Sequence, residues 1–209
     1  KPRQEGAQEE GRITAAMPIL ESHPLKPFLP QSAKILMLGS FPPQQKRWSM
    51  DFFYPNFQND MWRIMGMIFF ADKSIFVDSR KKSFCKEAIV QFAKETGIAL
   101  YDTAETVRRL KDNASDNHLE IVCPTNVEAL LTQLPQCLAI ATTGEKATNE
   151  LIAQYHAPKP KIGEATTLQI GTRNLPLYRM PSTSRAYPLS IEKKAAYYHA
   201  MFHDLGMLP

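Results

Sequence analysis

Four consecutive apolar residues, Ile35 to Leu38, stop at Gly39-Ser40, and a run without polar interruption predicts a strand over 33–40 that is covered on both faces, as in a parallel sheet. The period then changes. Met61, Ile64, Met65 and Ile68 recur at three- and four-residue spacing, which predicts a helix behind Asn59, a residue type suited to its N-cap. The stretch 79–98 predicts a second helix, with Phe84, Ala88, Ile89 and Phe92 on one face and Gly97 as its stop. "DNHLEIVCPTNVEALLTQLP" reads as a short strand and a helix opened by Pro124 with Thr125 or Asn126. "CLAIATTGEKATNELIAQY" repeats the step as a buried strand, a Thr-Thr-Gly turn and a helix. A strand, a Gly-Thr-Arg-Asn turn and another strand ending at Met180-Pro181 follow, and a closing helix runs from Ser190 to near Gly206. "ALYDTAETVRRL" shows no clear period.

Successive strand–helix steps predict the α/β class: one three-layer domain over 18–209, with a mainly parallel central sheet of about four strands flanked by helices. In such sheets ligands bind beyond the carboxyl ends of the strands, so the loops at 39–58, 142–146 and 181–189 compete for the site. Residues 1–17 are polar and glycine-containing and are expected to form a flexible extension.

The formal charge of +4 suits a polyanionic partner without requiring one. Cys85, Cys123 and Cys137 form neither a CxxC pair nor a metal-ligand cluster, which favours a reducing compartment. No apolar run approaches the roughly 18 to 20 residues of a membrane span, so a cytoplasmic location without a membrane partner is expected. "TTGEK" lacks the glycine spacing of a phosphate loop. His199 and His203 lie four apart on a predicted helix, but the HExxH glutamate is missing. No serine sits in GxSxG and no cysteine has a recognisable catalytic context, so covalent hydrolase chemistry has little support.

One ordered set of strings remains. "GSFPP", "FFYPNFQNDMW" and "MPSTSRAY", with "GIALYDT", "ASDNHL" and "IATTGEKA" between them, resemble the hypoxanthine-DNA glycosylase-like branch of the uracil-DNA glycosylase superfamily over residues 33 to 205. The chain departs from that pattern at Pro43 (for glycine), Asn56-Phe57 (for His-Pro), Met61 (for phenylalanine) and Arg185 (for proline). The resemblance implies a DNA glycosylase that excises hypoxanthine, uracil or xanthine from duplex DNA as a monomer, without metal or cofactor. With no lysine evident as a Schiff-base amine, a monofunctional enzyme is expected.

Such excision passes through an oxocarbenium-like sugar while negative charge gathers on the extruded base. The resemblance places the functional asparagine at Asn59, whose carboxamide can donate to a base carbonyl and accept from a water. Its alternative role is to cap the helix that follows. Gly39, Ser40, Phe41 and Pro42 would floor the base pocket, and Tyr54 would stack on the base or else anchor the loop from the core. Superfamily members with a strong water-activating Asp or Asn have it where this chain has Ser40 and Phe41, so the water is expected to be held by backbone or by Asn59. Pro181, Ser182, Thr183 and Ser184 resemble the loop that pinches phosphates, followed by Arg185 as a charge and Tyr187 as a wedge, although Ser-Thr-Ser after a strand is also an ordinary turn. Two other function classes stay open: a catalytically weak member that binds nucleic acid or modified bases, and an unrelated α/β enzyme of small molecules.

Overall fold

The computed structural model describes residues 18–111 and 116–209, so the expected extension at 1–17 lies outside it. The chain runs through β1 (Leu20–Ser22), β2 (Ile35–Gly39), α1 (Met61–Phe70), a short pair β3 (Val77–Asp78) and β4 (Ser83–Phe84), and α2 (Lys86–Thr96). It continues through β5 (Ile98–Asp102), β6 (Ala104–Arg109), β7 (Leu119–Pro124), α3 (Val127–Thr132), β8 (Ala139–Thr143) and α4 (Glu145–Tyr155). The hairpin β9 (Ala165–Ile170) and β10 (Arg173–Met180) precedes the final helix α5 (Ile191–Asp204).

The central sheet has the order β5-β2-β8-β10-β9. Its first four strands are mutually parallel, as the apolar runs require, and β9 adds an antiparallel edge. Every residue of β2, β5 and β8 is buried, which only a sheet covered on both faces allows. Trp62 of α1, 1% exposed, donates its indole N–H to the Phe53 carbonyl at 2.9 Å and so ties the helix to the loop before it. Ser190 and Asn126 cap α5 and α3 through their side chains, accepting from the Lys193 and Ala129 amides.

Two expectations need correction. Residues 79–85 do not join the second helix: Phe84 pairs with Val77 in a two-stranded ladder, Lys82 takes a left-handed turn (φ 48°), and α2 starts only at Lys86. Phe84 still enters the core, which explains why its spacing mimicked a helix face. The segment without a period is two strands that turn at Thr103, of which β6 joins a separate antiparallel sheet, β1-β6-β7. Register shifts at Ala104, Thr106 and Val107 break its alternation, so the pattern was hidden. Ala104, Val107, Phe41 and Leu119 form a small second core beneath this sheet. Among the described residues no helix is long and apolar enough to cross a membrane.

The parallel register aligns Gly39 with Asp102 and Met180 with Thr143, so four strands end together. The three loops do not compete; they close around that one edge.

Candidate active site

At this edge lies a cavity of about 620 Å³, lined from all three loops and from β5 and β6. Gly39 sits at its base because nothing larger fits: a Cβ there would stand 2.6 Å from Asp102 Oδ1 and 3.5 Å from both the Thr143 and Tyr54 hydroxyls. Asp102 is only 7% exposed and lines the cavity. Its Oδ2 accepts from His23 Nε2 at 2.6 Å, while its Oδ1 points toward Gly39. The site therefore has a carboxylate after all, delivered by the end of β5 rather than by the 39–43 loop. It was missed because "LYDT" carries no local signal, and only the pairing of β5 with β2 brings Asp102 to Gly39. Burial, then Glu105 and Asp102, push the neighbouring Tyr101 hydroxyl up to about 12, so it stays a neutral phenol.

Asn59 is half-buried and lines the cavity. Its Oδ1 accepts from the Met61 backbone N–H at 3.0 Å and from the Thr183 hydroxyl at 2.8 Å. A backbone N–H can only donate, so the amide cannot be flipped and its NH₂ group is the part left to face a ligand. The expected competition between cap and function is thus resolved by division: the oxygen serves α1 and the 181–187 loop, and the nitrogen remains a donor. Asn59 caps from one residue ahead of the N-cap position, where Asp60 makes no side-chain cap bond. The expectation that Asn59 also accepts from a water does not hold, since its oxygen is already shared by two donors.

Arg63 holds the peptide of this segment. Its guanidinium donates to the Phe57 carbonyl at 2.9 Å, the Asn59 carbonyl at 3.2 Å and Asp60 Oδ1 at 3.1 Å, and lies over the Phe57 ring. Burial, and then Arg185, lower its pKa from the usual value, yet an arginine stays charged. Asn56, in place of the histidine of the related pattern, accepts the Gln58 N–H at 2.9 Å and forms the turn into Asn59.

Tyr54 has a left-handed backbone (φ 53°), a conformation a bulky residue adopts only where its surroundings impose it. Its hydroxyl hydrogen-bonds Thr143 at 2.8 Å and its ring stands edge-on to Trp62, so it forms a fixed, half-buried wall of the cavity. Ser40, Phe41 and Pro42 also line the cavity, but the Phe41 ring belongs to the second core. Arg109 donates to the Pro42 carbonyl at 3.2 Å and pairs with Glu21 at 2.8 Å, and Trp48 donates to the Pro43 carbonyl at 2.7 Å. Arg109 and Asn117 join the lining although neither stood out in the sequence.

The 181–187 loop is laced to the Asn59 segment. Asn59 and Ser184 form an antiparallel bridge, Asp60 N–H donates to the Thr183 carbonyl at 2.9 Å, and Arg185 N–H donates to the Gln58 carbonyl at 3.2 Å. Thr183 is 2% exposed, so its hydroxyl serves Asn59 rather than a phosphate. Arg185 turns away from the cavity to Asp60 at 3.2 Å and Gln58 at 2.9 Å, and acts as a clamp rather than the charge behind a wedge. Pro181 is buried, with its carbonyl accepting from the Tyr198 hydroxyl at 2.7 Å. Ser182, Ser184 and Tyr187 remain on the cavity wall. A buried amine absent from the sequence expectations is Lys194, 2% exposed and lowered in pKa mainly by burial. Its Nζ donates to the Ser184 carbonyl at 2.7 Å and it is not part of the cavity lining. Thr183→Val should cost about 0.5–1.5 kcal/mol, the worth of one hydrogen bond, in a denaturant unfolding curve with unchanged slope.

Among solved structures, the chain is similar to the solution NMR structure of a "putative Uracil DNA glycosylase" from Methanosarcina acetivorans. The two share 18% identity over 90% of this chain and 99% of that one, with a TM-score of 0.58, a likeness of fold. No protein-family model matches the chain, and no curated protein does.

Proposed function

We propose that this chain is a monofunctional DNA glycosylase of the uracil-DNA glycosylase superfamily, in its hypoxanthine-DNA glycosylase-like branch, which hydrolyses the N-glycosidic bond of a deaminated base in duplex DNA and so initiates base excision repair. The observation that carries the proposal is the orientation of Asn59. With Oδ1 committed to Met61 and Thr183, the side chain offers a base only N–H donors. Deamination replaces an exocyclic amino group by a carbonyl. A donor pairs with the carbonyl of hypoxanthine, uracil or xanthine and opposes the amino group of adenine or cytosine, whose N–H bonds would face its own. The same donor stabilises negative charge on the departing base.

Asp102 supplies the complementary role. The C1′–N bond breaks with its electron pair leaving on the base, the water oxygen bonds to C1′, and a water proton passes to Asp102 Oδ1. That proton returns through solvent to the base, so the products are an abasic sugar and the free base, and no metal or cofactor enters the balance. The fixed ring of Tyr54 flanks the extruded base, a contact worth about 1–3 kcal/mol in other aromatic–base pairs. Exposed Lys46, Arg47 and the cavity-lining Lys146 supply positive charge for the phosphates of the duplex. The fold shared with the Methanosarcina protein and the ordered strings at 39–62 and 180–187 support the same reading.

The test uses labelled duplexes carrying deoxyinosine, deoxyuridine or deoxyxanthosine, incubated with the protein and then treated with alkali. Breaks at the lesion are expected from the wild type and not from Asn59→Asp. Salt-sensitive binding without breaks would instead make the chain a recognition module, and the absence of both would remove DNA from its function. Gly39→Ala is a second expectation. Its Cβ would sit 2.6 Å from Asp102 Oδ1, so the carboxylate must move. Excision should fall on the order of 10²-fold while overpacking costs about 1–3 kcal/mol, read from single-turnover rates and thermal melts.

A further inference from the structure

Behind Asp102 stands a group that no motif marks. His23 directly follows β1, and its backbone N–H donates to the Glu105 carbonyl at 2.7 Å, which pins the residue to β6. Five residues on, Phe28 exchanges backbone hydrogen bonds with Leu100 at 2.9 Å, so the segment crosses from the small sheet to the edge of the central one. This crossing carries the His23 side chain into the interior, where it is 2% exposed. The ring lies against Tyr101 at 4.6 Å, meets Phe41 edge-on at 5.2 Å and stands 6.1 Å from Phe53.

The hydrogen bonds fix its chemistry. Leu25 N–H donates to His23 Nδ1 at 3.1 Å, so that nitrogen carries a lone pair and no proton. The proton of the neutral ring is then on Nε2, and it is donated to Asp102 Oδ2 at 2.6 Å. Asp102 is held on its other side too, since Thr125 Oγ1 donates to the Asp102 carbonyl at 2.6 Å and the Thr103 N–H to the Gly39 carbonyl at 2.7 Å. One carboxylate oxygen is occupied from behind, and Oδ1 is turned to Gly39 and the cavity.

We propose that His23 is a positioning residue for excision: an imidazole whose Nε2–H fixes the Asp102 carboxylate with Oδ1 toward the attacking water. The inference rests on the glycosylase reading. It makes the segment ahead of β2 part of the active site, and it gives the histidine no contact with substrate and no share in proton transfer. The order is carboxylate toward substrate and imidazole behind, so the hydrogen bond acts through geometry and by satisfying a buried anion.

The test compares wild type, His23→Phe and His23→Gln in single-turnover excision and in affinity for a lesion duplex. Phenylalanine keeps the ring packing and removes the donor, and it should slow excision on the order of 10²-fold with affinity changed by no more than about twofold. Glutamine restores a donor near the Nε2 position and should recover most of the loss. A His23→Phe chain that fails to melt cooperatively is replaced by His23→Asn, whose amide is too short to reach Oδ2. Wild-type rates in a folded variant without the donor overturn the proposal and leave the glycosylase reading intact. So does a loss of rate matched by a loss of affinity and not rescued by glutamine, the mark of a structural histidine. A wild-type protein that excises no deaminated base overturns the glycosylase reading, and this proposal with it.

Discussion

Asp102→Asn is expected to lower single-turnover excision by about 10²–10⁴-fold, the worth of a positioned general base, while leaving the fold and the affinity for lesion DNA in place. The two side chains have the same shape, and the asparagine oxygen can still accept from His23 Nε2, so the contact behind the residue survives. What changes is the atom facing the cavity. An NH₂ group replaces Oδ1, and an amide nitrogen has no lone pair with which to take a proton from water. Removing a negative charge from the edge of the proposed DNA cleft should, if it shifts affinity at all, shift it toward tighter binding at low salt. Loss of rate with retained binding separates this role from a structural one. Excision by Asp102→Asn at the wild-type rate would mean that the water is activated elsewhere.

The second large effect is the contrast between Asn59→Asp and Asn59→Ala. Aspartate keeps an oxygen for Met61 N–H and the Thr183 hydroxyl, and a carboxylate ahead of α1 is favoured by the partial positive charge of the helix N-terminus. Its stability should match that of the wild type. Its other oxygen, however, presents a lone pair to the base carbonyl and a like charge to the departing anion. Loss of such a donor costs roughly 10²–10³ in rate. Alanine loses the donor and the cap together, so the same loss of rate comes with about 0.5–2 kcal/mol of destabilisation. Rates and melting curves for the pair separate the two atoms of one carboxamide. An active Asn59→Asp would show that the donor is not needed.

Among the relations legible in the sequence, those between near neighbours were the clearest. The apolar runs at Ile35–Leu38 and Ala139–Ala141 announced doubly covered parallel strands, because in a buried strand every side chain is apolar whatever its neighbour. Ser190 and Asn126 marked helix starts because a cap bonds within three residues of itself. Where a strand is bulged, as in β6, that short-range logic failed. It failed again at Phe84, where a ladder residue fell on a helical spacing by coincidence.

The sequence by itself determined the α/β class, the edge of the sheet where the loops meet, and the candidate residues Asn59 and Tyr54. Only the tertiary structure decided what those residues offer a ligand. Thr183 orients the Asn59 amide from 124 positions away, and His23 holds Asp102 from 79 positions away. Neither pair leaves a periodic trace, because a hydrogen bond between distant segments depends on the registers of β2, β5 and β6 and on the crossing at Phe28. Local pattern specifies which face of an element is buried. The direction of a polar atom in a cavity is specified by whichever distant donor reaches it first.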